Sequence, residues 1–367
     1  YGGNFTRQDR NTGITRSVRI YADSETGQQA ADMKYRFQWN APIRISPHDP
    51  DTVYIMSQYV HRTRDQGVNW EVISPDLTRQ LDRNQLEVMD RVWSVDTIAK
   101  NDSTSRYGSA IGLSESPLVE GLIYVGTDDG VISVTEDGGQ NWRRTEKFRG
   151  VPERSYVDDL IASVHDADVA YAVIDNHKRG DFKPYVLRSD NRGKSWRLIS
   201  KGLPERGFAH SIAEDHVDPN LLFVGTELGL YFSQDRGKSW HKFSGLPTIS
   251  VRDIEIQRRE TDLVVGTFGR GIYIVDDYSP LRTSQQALTQ SAATAFPIKD
   301  AWLYIEGDFF DARVRGSRGA GFWRAENPPG GAVISYYLPE AIEPLKKQRR
   351  KAEIKKEQEG KDTPYPS

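Results

Sequence analysis

The stretch Ser233-Gln234-Asp235-Arg236-Gly237-Lys238-Ser239-Trp240 (SQDRGKSW) decides how this chain is read. It sets a small hydroxyl residue, an acid, a glycine and a tryptophan at fixed offsets, and it recurs. Residues 63–70 (TRDQGVNW) and 135–142 (TEDGGQNW) keep the pattern Ser/Thr-x-Asp-x-Gly-x-x-Trp, and residues 189–196 (SDNRGKSW) keep it with Asn191 in place of the acid. A tight turn accounts for the pattern. The carboxylate accepts backbone N–H bonds, the glycine takes a positive φ, and the tryptophan packs between neighbouring sheets. Asn191 discriminates between structure and chemistry, because an amide oxygen accepts turn hydrogen bonds but is neither an acid nor a base. The four corners, Asp65 with Trp70, Asp137 with Trp142, Asn191 with Trp196 and Asp235 with Trp240, are therefore read as scaffold.

The flanking strands repeat with the corners. Residues 221–226, a Glu227-Leu228 turn and residues 229–233 read as a hairpin. Residues 122–134 match it around Asp128-Asp129, and residues 263–275 match it around Phe268-Gly269-Arg270. Short apolar runs separated by glycine-bearing turns are buried strands. Each hairpin supplies strands B and C of a four-stranded unit, and the tryptophan corner is its C–D turn. The tryptophans stand 72, 54 and 44 residues apart, and the last interval approaches one propeller blade. The fold class is thus all-β, a β-propeller with blades at 35–78, 108–150, 155–202, 207–246 and 250–280 and a partial blade in 1–30. A polar insertion, 79–107, separates the first two blades. Unpaired blade faces are costly, so the propeller is expected to be completed by blades preceding Tyr1 or by another chain. The propeller is assigned to residues 1–281, a Ser/Thr/Gln/Ala-rich linker to 282–300, and the start of a β-sandwich-like domain to 301–367. That last region holds one strong strand entered through Gly321–Gly331, and a charged insertion, 343–361, read as a solvated helix or a disordered segment.

Composition narrows the function. With 49 basic and 52 acidic residues the formal net charge is −3, and no basic stripe marks a nucleic-acid partner. The absence of cysteine excludes disulfides, thiolate nucleophiles and cysteine-bound metals. No apolar run is long enough for a transmembrane helix. No glycine-rich loop leads from a strand into a helix to cradle phosphate, and no cofactor is expected. Three His-Asp clusters, at 47–51, 165–168 and 216–220, share one repeat phase. They read as A–B turns rather than metal ligands, so no metal site is expected.

The phrases "YRFQWNAPIRISPHDPDTVY", "GLIYVGTDDGVISVTEDGGQNW", "PYVLRSDNRGKSW", "NLLFVGTELGLYFSQDRGKSW" and "DLVVGTFGRGIYIVDDYSPL" resemble a large family of exported bacterial proteins with sortilin-like, neuraminidase-repeat (BNR, Asp-box) propellers. Members are often labelled glycosyl hydrolase-like. The resemblance spans residues 35–285, and "AENPPGGAVISYYL" fits the region after the propeller in that family. It implies an extracytoplasmic multidomain protein, periplasmic, cell-surface or secreted. The cysteine-rich module of true sortilins is absent, so receptor function does not carry over. Arg44-Ile45-Ser46 only echoes the Arg-Ile-Pro signature of sialidases, so no sialic-acid arginine triad carries over either.

The repeat also assigns faces. A–B and C–D turns share one face; D–A connections and B–C loops share the other, around the central funnel, where propellers usually bind ligands. Features present in every repeat serve the fold, and features unique to one blade on the funnel face are the candidates. The B–C loop 175–184 carries His177, Arg179 and Asp181. Glu227 and Arg270 occupy shorter B–C turns, and the starts of innermost strands contribute Tyr156, Asp158, Asp159, His210, Arg252 and Asp253. Solvated loop charges and inter-blade ion pairs are the plain alternative for each. Glycoside hydrolysis needs two carboxylates across the funnel, and Asp158 or Asp159 with Asp253 is the pairing nominated. Three functions remain open: a propeller binding a glycan, polymer or protein partner, a glycoside hydrolase, and a structural subunit.

Overall fold

The computed structural model describes residues 2–21, 26–29, 32–102, 106–290, 292–301, 303 and 330–363. They fall in two compact units, Tyr1–Tyr278 and Ser279–Ser367. The first unit opens with a hairpin of β1 (Thr6–Gln8) and β2 (Thr15–Ser17). Four four-stranded sheets come after it. They are β3 (Ile43–Ile45), β4 (Val53–Met56), β5 (Val60–Thr63) and β6 (Glu71–Val72); then β7 (Ala110–Glu115), β8 (Ile123–Thr127), β9 (Ile132–Thr135) and β10 (Arg143–Thr145). Next come β11 (Tyr156–Ala162), β12 (Ala170–Asn176), β13 (Asp181–Ser189) and β14 (Arg197–Leu198); then β15 (Ala209–Glu214), β16 (Leu222–Thr226), β17 (Gly229–Ser233) and β18 (His241–Lys242). A fifth sheet has three strands, β19 (Val251–Gln257), β20 (Asp262–Thr267) and β21 (Ile272–Val275). Strand order in every sheet follows chain order, so each is an antiparallel meander. This is a β-propeller, and each sheet lies within a blade expected from the sequence.

Sheets pack face to face in succession: β11 lies on β7 and β8, β15 on β11 and β12, and β19 on β15 and β16. The inner strands are apolar on both faces because each is covered from both sides. Leu122, Tyr124, Leu160, Ala172, Ile174 and Leu187 thus form one core between the second and third blades. The innermost strands of blades two to five each shift register at the same place. The shifts leave Ile111, Asp158, His210 and Arg252 as equivalent bulged residues, and a bulge re-aims its side chain.

The four tryptophan corners share one geometry. Thr63 Oγ1 donates to Asp65 Oδ1 at 2.8 Å and accepts from Gly67 N at 2.9 Å, while Asn69 N donates to Asp65 Oδ1 at 2.8 Å. The backbone N–H of Asn69, then its side chain, hold the Asp65 carboxyl down at about 2, and Asn141 does the same to Asp137. Two consecutive residues take positive φ in each corner, as in Arg236 (61°) and Gly237 (81°). Asn191 reproduces the contacts, accepting from Ser195 N at 2.9 Å and donating through Nδ2 to Ser195 Oγ at 2.8 Å. At Asp235 the same hydroxyl position, Ser239, donates to Oδ2 at 2.6 Å. The rotor therefore reverses its role to suit acid or amide. Asp235→Asn is expected to cost under about 1 kcal/mol, and Asp235→Ala about 2 kcal/mol, in chemical denaturation. Equal losses in the two variants would contradict the turn-scaffold account.

Three of the four corner tryptophans donate back to the preceding blade, whereas Trp196 Nε1 is buried without a hydrogen-bond partner among the described residues. Trp142 Nε1 donates to Ile73 O at 3.0 Å and Trp240 Nε1 to Ile199 O at 2.7 Å. Trp70 Nε1 donates to Val18 O at 3.0 Å. Val18 thus stands where Ile73 and Ile199 stand, just past a fourth strand, so β1 and β2 occupy the outer-strand positions of a preceding blade. At the other end, β21 has no fourth strand among the described residues, and Ile272 and Ile274 are exposed.

The second unit contains helix α1 (Leu281–Gln290), a pair of short strands, β22 (Thr294–Ala295) and β23 (Tyr336–Tyr337), and helix α2 (Leu345–Gln358). Helix α1 occupies the first half of the stretch read as a linker. Helix α2 forms on the charged insertion, with Arg349 and Glu353 paired at 3.1 Å one turn apart. Gly321–Pro329, through which a sandwich strand was expected to enter, lies outside the described residues.

Candidate functional site

The equivalent bulges bring four of the sequence-selected residues together. His210 Nδ1 lies 3.2 Å from Asp158 Oδ2, and His210 Nε2 lies 2.9 Å from Glu227 Oε2. Arg252 Nη1 sits 3.1 Å from both ring nitrogens. Ser250 Oγ donates to Glu227 Oε2 at 2.9 Å. Burial alone raises the Glu227 carboxyl, but hydrogen bonds from His210 and Ser250 outweigh it and hold it below its ordinary value. His210 and Ser250 are buried. The network joins blades three, four and five across the funnel. Its groups engage one another, so it works as a clamp between blades.

The long B–C loop is tighter than its length implied. Residues 177–179 make a turn of 3-10 helix closed by Gly180. His177 Nδ1 bonds the Asp175 carboxylate, and its ring stacks on Phe208 at 4.5 Å. Arg179 donates to Glu153 O at 2.7 Å, and Asp181 accepts from Tyr185 Oη at 2.6 Å. Lys178 Nζ lies 4.7 Å from the Tyr156 ring centroid. Arg270 is exposed at its hairpin tip between two positive-φ glycines.

The nominated carboxylates separate into two environments. Asp158 belongs to the His210 clamp. Asp159 and Asp253 line a central cavity of about 480 Å³ to which the innermost strands of all five blades contribute. Asp159 accepts from Ile212 N at 3.0 Å and Leu160 N at 2.8 Å. Burial nevertheless pushes its carboxyl up to about 6. Asp253 is exposed and accepts from Ile254 N at 3.0 Å.

A second cavity, on the funnel face, was not among the sequence candidates. The 79–107 insertion is a D–A connection, and its residues between Gln80 and Asn101, with Tyr107 and the B–C turn of the second blade, line a cavity of about 860 Å³. Arg36 holds one wall: Nε donates to Gly108 O at 3.0 Å and Nη2 pairs with Asp76 at 3.3 Å. Arg83 donates to Tyr107 O, so the two guanidiniums hang from consecutive carbonyls. Burial, then the charge of Arg36, lowers the Arg83 pKa. Lys100 Nζ donates to Trp93 O at 2.7 Å. Arg79 closes the base, donating through its backbone N to Asp129 Oδ2 at 2.7 Å and through Nε to Asp129 O at 2.8 Å. Polarity without periodicity made 79–107 read as filler. The clue available was that it lengthens one D–A connection of an otherwise regular repeat on the funnel face.

The BNR/Asp-box repeat family matches at residues 231–242, the corner from which the fold was read. Among solved structures, the chain is similar to an ancestral GH74 enzyme, at 16% identity over 62% of this chain and 27% of that one, with a TM-score of 0.45. The GH74 xyloglucanase from Xanthomonas campestris gives 17% identity over 64% and 36%, with a TM-score of 0.47. YCF48 from Cyanidioschyzon merolae gives 16% identity over 65% and 67%, with a TM-score of 0.42. The chain therefore spans well under half the length of the two GH74 enzymes. No curated protein matches it. The chain is a β-propeller that carries BNR/Asp-box repeats. Among the described residues no helix is long and apolar enough to cross a membrane, and no group of three or more His, Cys, Asp or Glu could hold a metal.

Proposed function

We propose that this is an exported recognition propeller that binds a partner on the funnel face, in the cavity lined by residues between Gln80 and Asn101. The observation that carries the reading is the insertion itself. It departs from the repeat where ligands of propellers usually sit, and it lines about 860 Å³ of space there with both apolar and charged side chains. That volume lies in the range of ordinary ligand sites. The clamp around His210 supports the same reading, since it fixes the blades that frame the funnel and leaves recognition to the loops above. An extracytoplasmic location rests on the family resemblance of the sequence.

Peptide and glycan microarrays probed with the labelled chain test this. Hits should weaken roughly tenfold or more in a Trp93→Ala, Lys100→Gln variant, and persist in Arg192→Ala, which alters the Asp-box face. Hits indifferent to the cavity changes, or silence on both arrays, would sink the reading.

One observation favours a second reading, glycoside hydrolysis. Asp159, with its raised pKa, and Asp253 share the central cavity. Turnover of any polysaccharide that disappears in both Asp159→Asn and Asp253→Asn would establish it.

A further inference from the structure

Successive blades are matched in size where the second strand of one meets the innermost strand of the next. Met56, Gly126, Val173 and Gly225 hold equivalent register positions in β4, β8, β12 and β16. Met56 shares a core with Ala110, which opens the next blade, and Val173 shares one with Ala209. Where the position is glycine, the next blade opens on valine instead. A Cβ on Gly126 would lie 2.4 Å from Val157 Cγ1, and a Cβ on Gly225 would lie 2.7 Å from Val251 Cγ1. Setting large against small at each junction is what close packing of facing layers requires.

A carboxylate ties one of these junctions. Asp159 accepts the N–H of Leu160 at 2.8 Å on Oδ1, and that of Ile212 in the next blade at 3.0 Å on Oδ2. Asp253 holds the same register position in the last sheet and accepts from Ile254 N at 3.0 Å on Oδ1. Among the described residues no donor reaches its Oδ2. Gly266 pairs with Asp253 as Gly225 pairs with Ser211, and a Cβ on Gly266 would meet only Asp253, at 3.5 Å or more. Ile272 and Ile274, on the same sheet, are 70% and 59% exposed. Leu230 and Ile132, which take the place of Ile272 in two other blades, are 0% and 1% exposed. The last sheet therefore carries the features of a blade junction on a face left open to water.

We infer that the open face of β19–β21 docks a further propeller blade whose innermost strand opens on a β-branched residue. That residue fills the space over Gly266. The N–H three residues later reaches Asp253 Oδ2, as Ile212, three residues after Ala209, reaches Asp159. The occupant is a blade because the face continues the stacking of successive sheets already in the molecule. Two copies meeting through this same face would set Asp253 and Glu255, both exposed, against their own kind. The face shares no lining residue with the cavity of the proposed binding role and does not rest on it.

The probe is a backbone-cyclised hairpin peptide copying residues 208–226, the two inner strands of the fourth blade, made with Ala209 and as Ala209→Val. Each form is titrated into the intact chain carrying ¹³C-methyl isoleucine. The Ile272 and Ile274 signals should shift saturably with the valine peptide and need roughly tenfold more of the alanine peptide. Gly266→Val in the chain should reverse that preference, a change that general loss of structure does not produce. Valine fits at 266 without a clash, so the variant folds. Asp253→Ala should weaken both peptides roughly tenfold. An unchanged preference in Gly266→Val overturns the inference, and so does silence of both isoleucines with both peptides. Self-association of the chain in light scattering, abolished by Asp253→Ala or Gly266→Val, would assign the face to a second copy and overturn it too.

Discussion

Gly139→Ala should lower the stability of the propeller by about 4 kcal/mol, a drop of about 10 °C in melting temperature for a unit of this size. The backbone at Gly139 has φ 104°, which a residue with a Cβ adopts only under strain. The added Cβ would lie 2.4 Å from the Ile73 carbonyl oxygen and 3.0 Å from Ile73 Cβ. A flexible side chain could swing away, but a carbonyl cannot do so without moving the preceding blade. The same oxygen accepts the hydrogen bond of Trp142 Nε1 at 3.0 Å, so relief of the clash would break the contact that seats the tryptophan. Gly13→Ala is the control. Its φ is 71°, but nothing lies within 4 Å of its Cβ position, so only backbone strain remains, about 1 kcal/mol. Denaturation midpoints compare the two. If Gly139→Ala costs no more than Gly13→Ala, the corners do not lock one blade to the next.

The corners were legible because their constraints are local. A hydroxyl, a carboxylate and a glycine at fixed offsets can satisfy one another within eight residues, so the pattern survives in a single sequence. Asn191 even allowed structure to be separated from catalysis, and its contacts confirm that an amide serves. Strand limits followed from apolar runs such as residues 221–226 for the same reason. The other positive-φ residue in three of the four corners, Gln66, Arg192 or Arg236, left no trace, since its side chain is not selected for that conformation.

The site was legible only where it copied the repeat. Asp158, His210 and Arg252 were chosen as strand starts on the funnel side, and their assembly into one network depends on a shared bulge. A bulge alters pairing by one residue and is invisible in hydrophobic periodicity. Asp181 looked like a free loop carboxylate because Tyr185, which donates to it, lies on the same hairpin at a spacing with no motif. The cavity under 79–107 is a tertiary object. Arg36 lies ahead of β3 in the first blade, Arg83 and Lys100 sit in the insertion, and Asp129 belongs to the second blade. No spacing rule joins residues so far apart.

Asp128 provides a pH test of that same region. It sits buried in the B–C turn of the second blade, where Oδ1 accepts from Gly108 N and Ser109 N, both at 2.8 Å, and Oδ2 accepts from Gln38 at 3.2 Å. Burial pushes its carboxyl up to about 7, against those hydrogen bonds, and Asp129 beside it is raised as well. The sign comes from linkage. In the unfolded chain Asp128 releases its proton near its ordinary value of 3.8, whereas the folded protein holds the proton to about 7. Between these values the folded state binds more protons, so stability falls as pH rises and levels off above pH 7. The loss between pH 5 and pH 8 is expected to be about 3 kcal/mol from this group. Asp159, raised to about 6, adds a smaller fall in the lower part of the window. Asp128→Asn keeps the shape and an oxygen for both backbone donors but carries no charge. Its stability should therefore decline less steeply from pH 5 to pH 8, and at pH 8 it should match or exceed the parent despite the amide facing Gln38. Melting temperatures across that range decide the matter. A slope unchanged by Asp128→Asn would mean that the turn keeps its carboxylate solvated and ionised, and the wall of the cavity next to it would then be more open to water than the geometry shows.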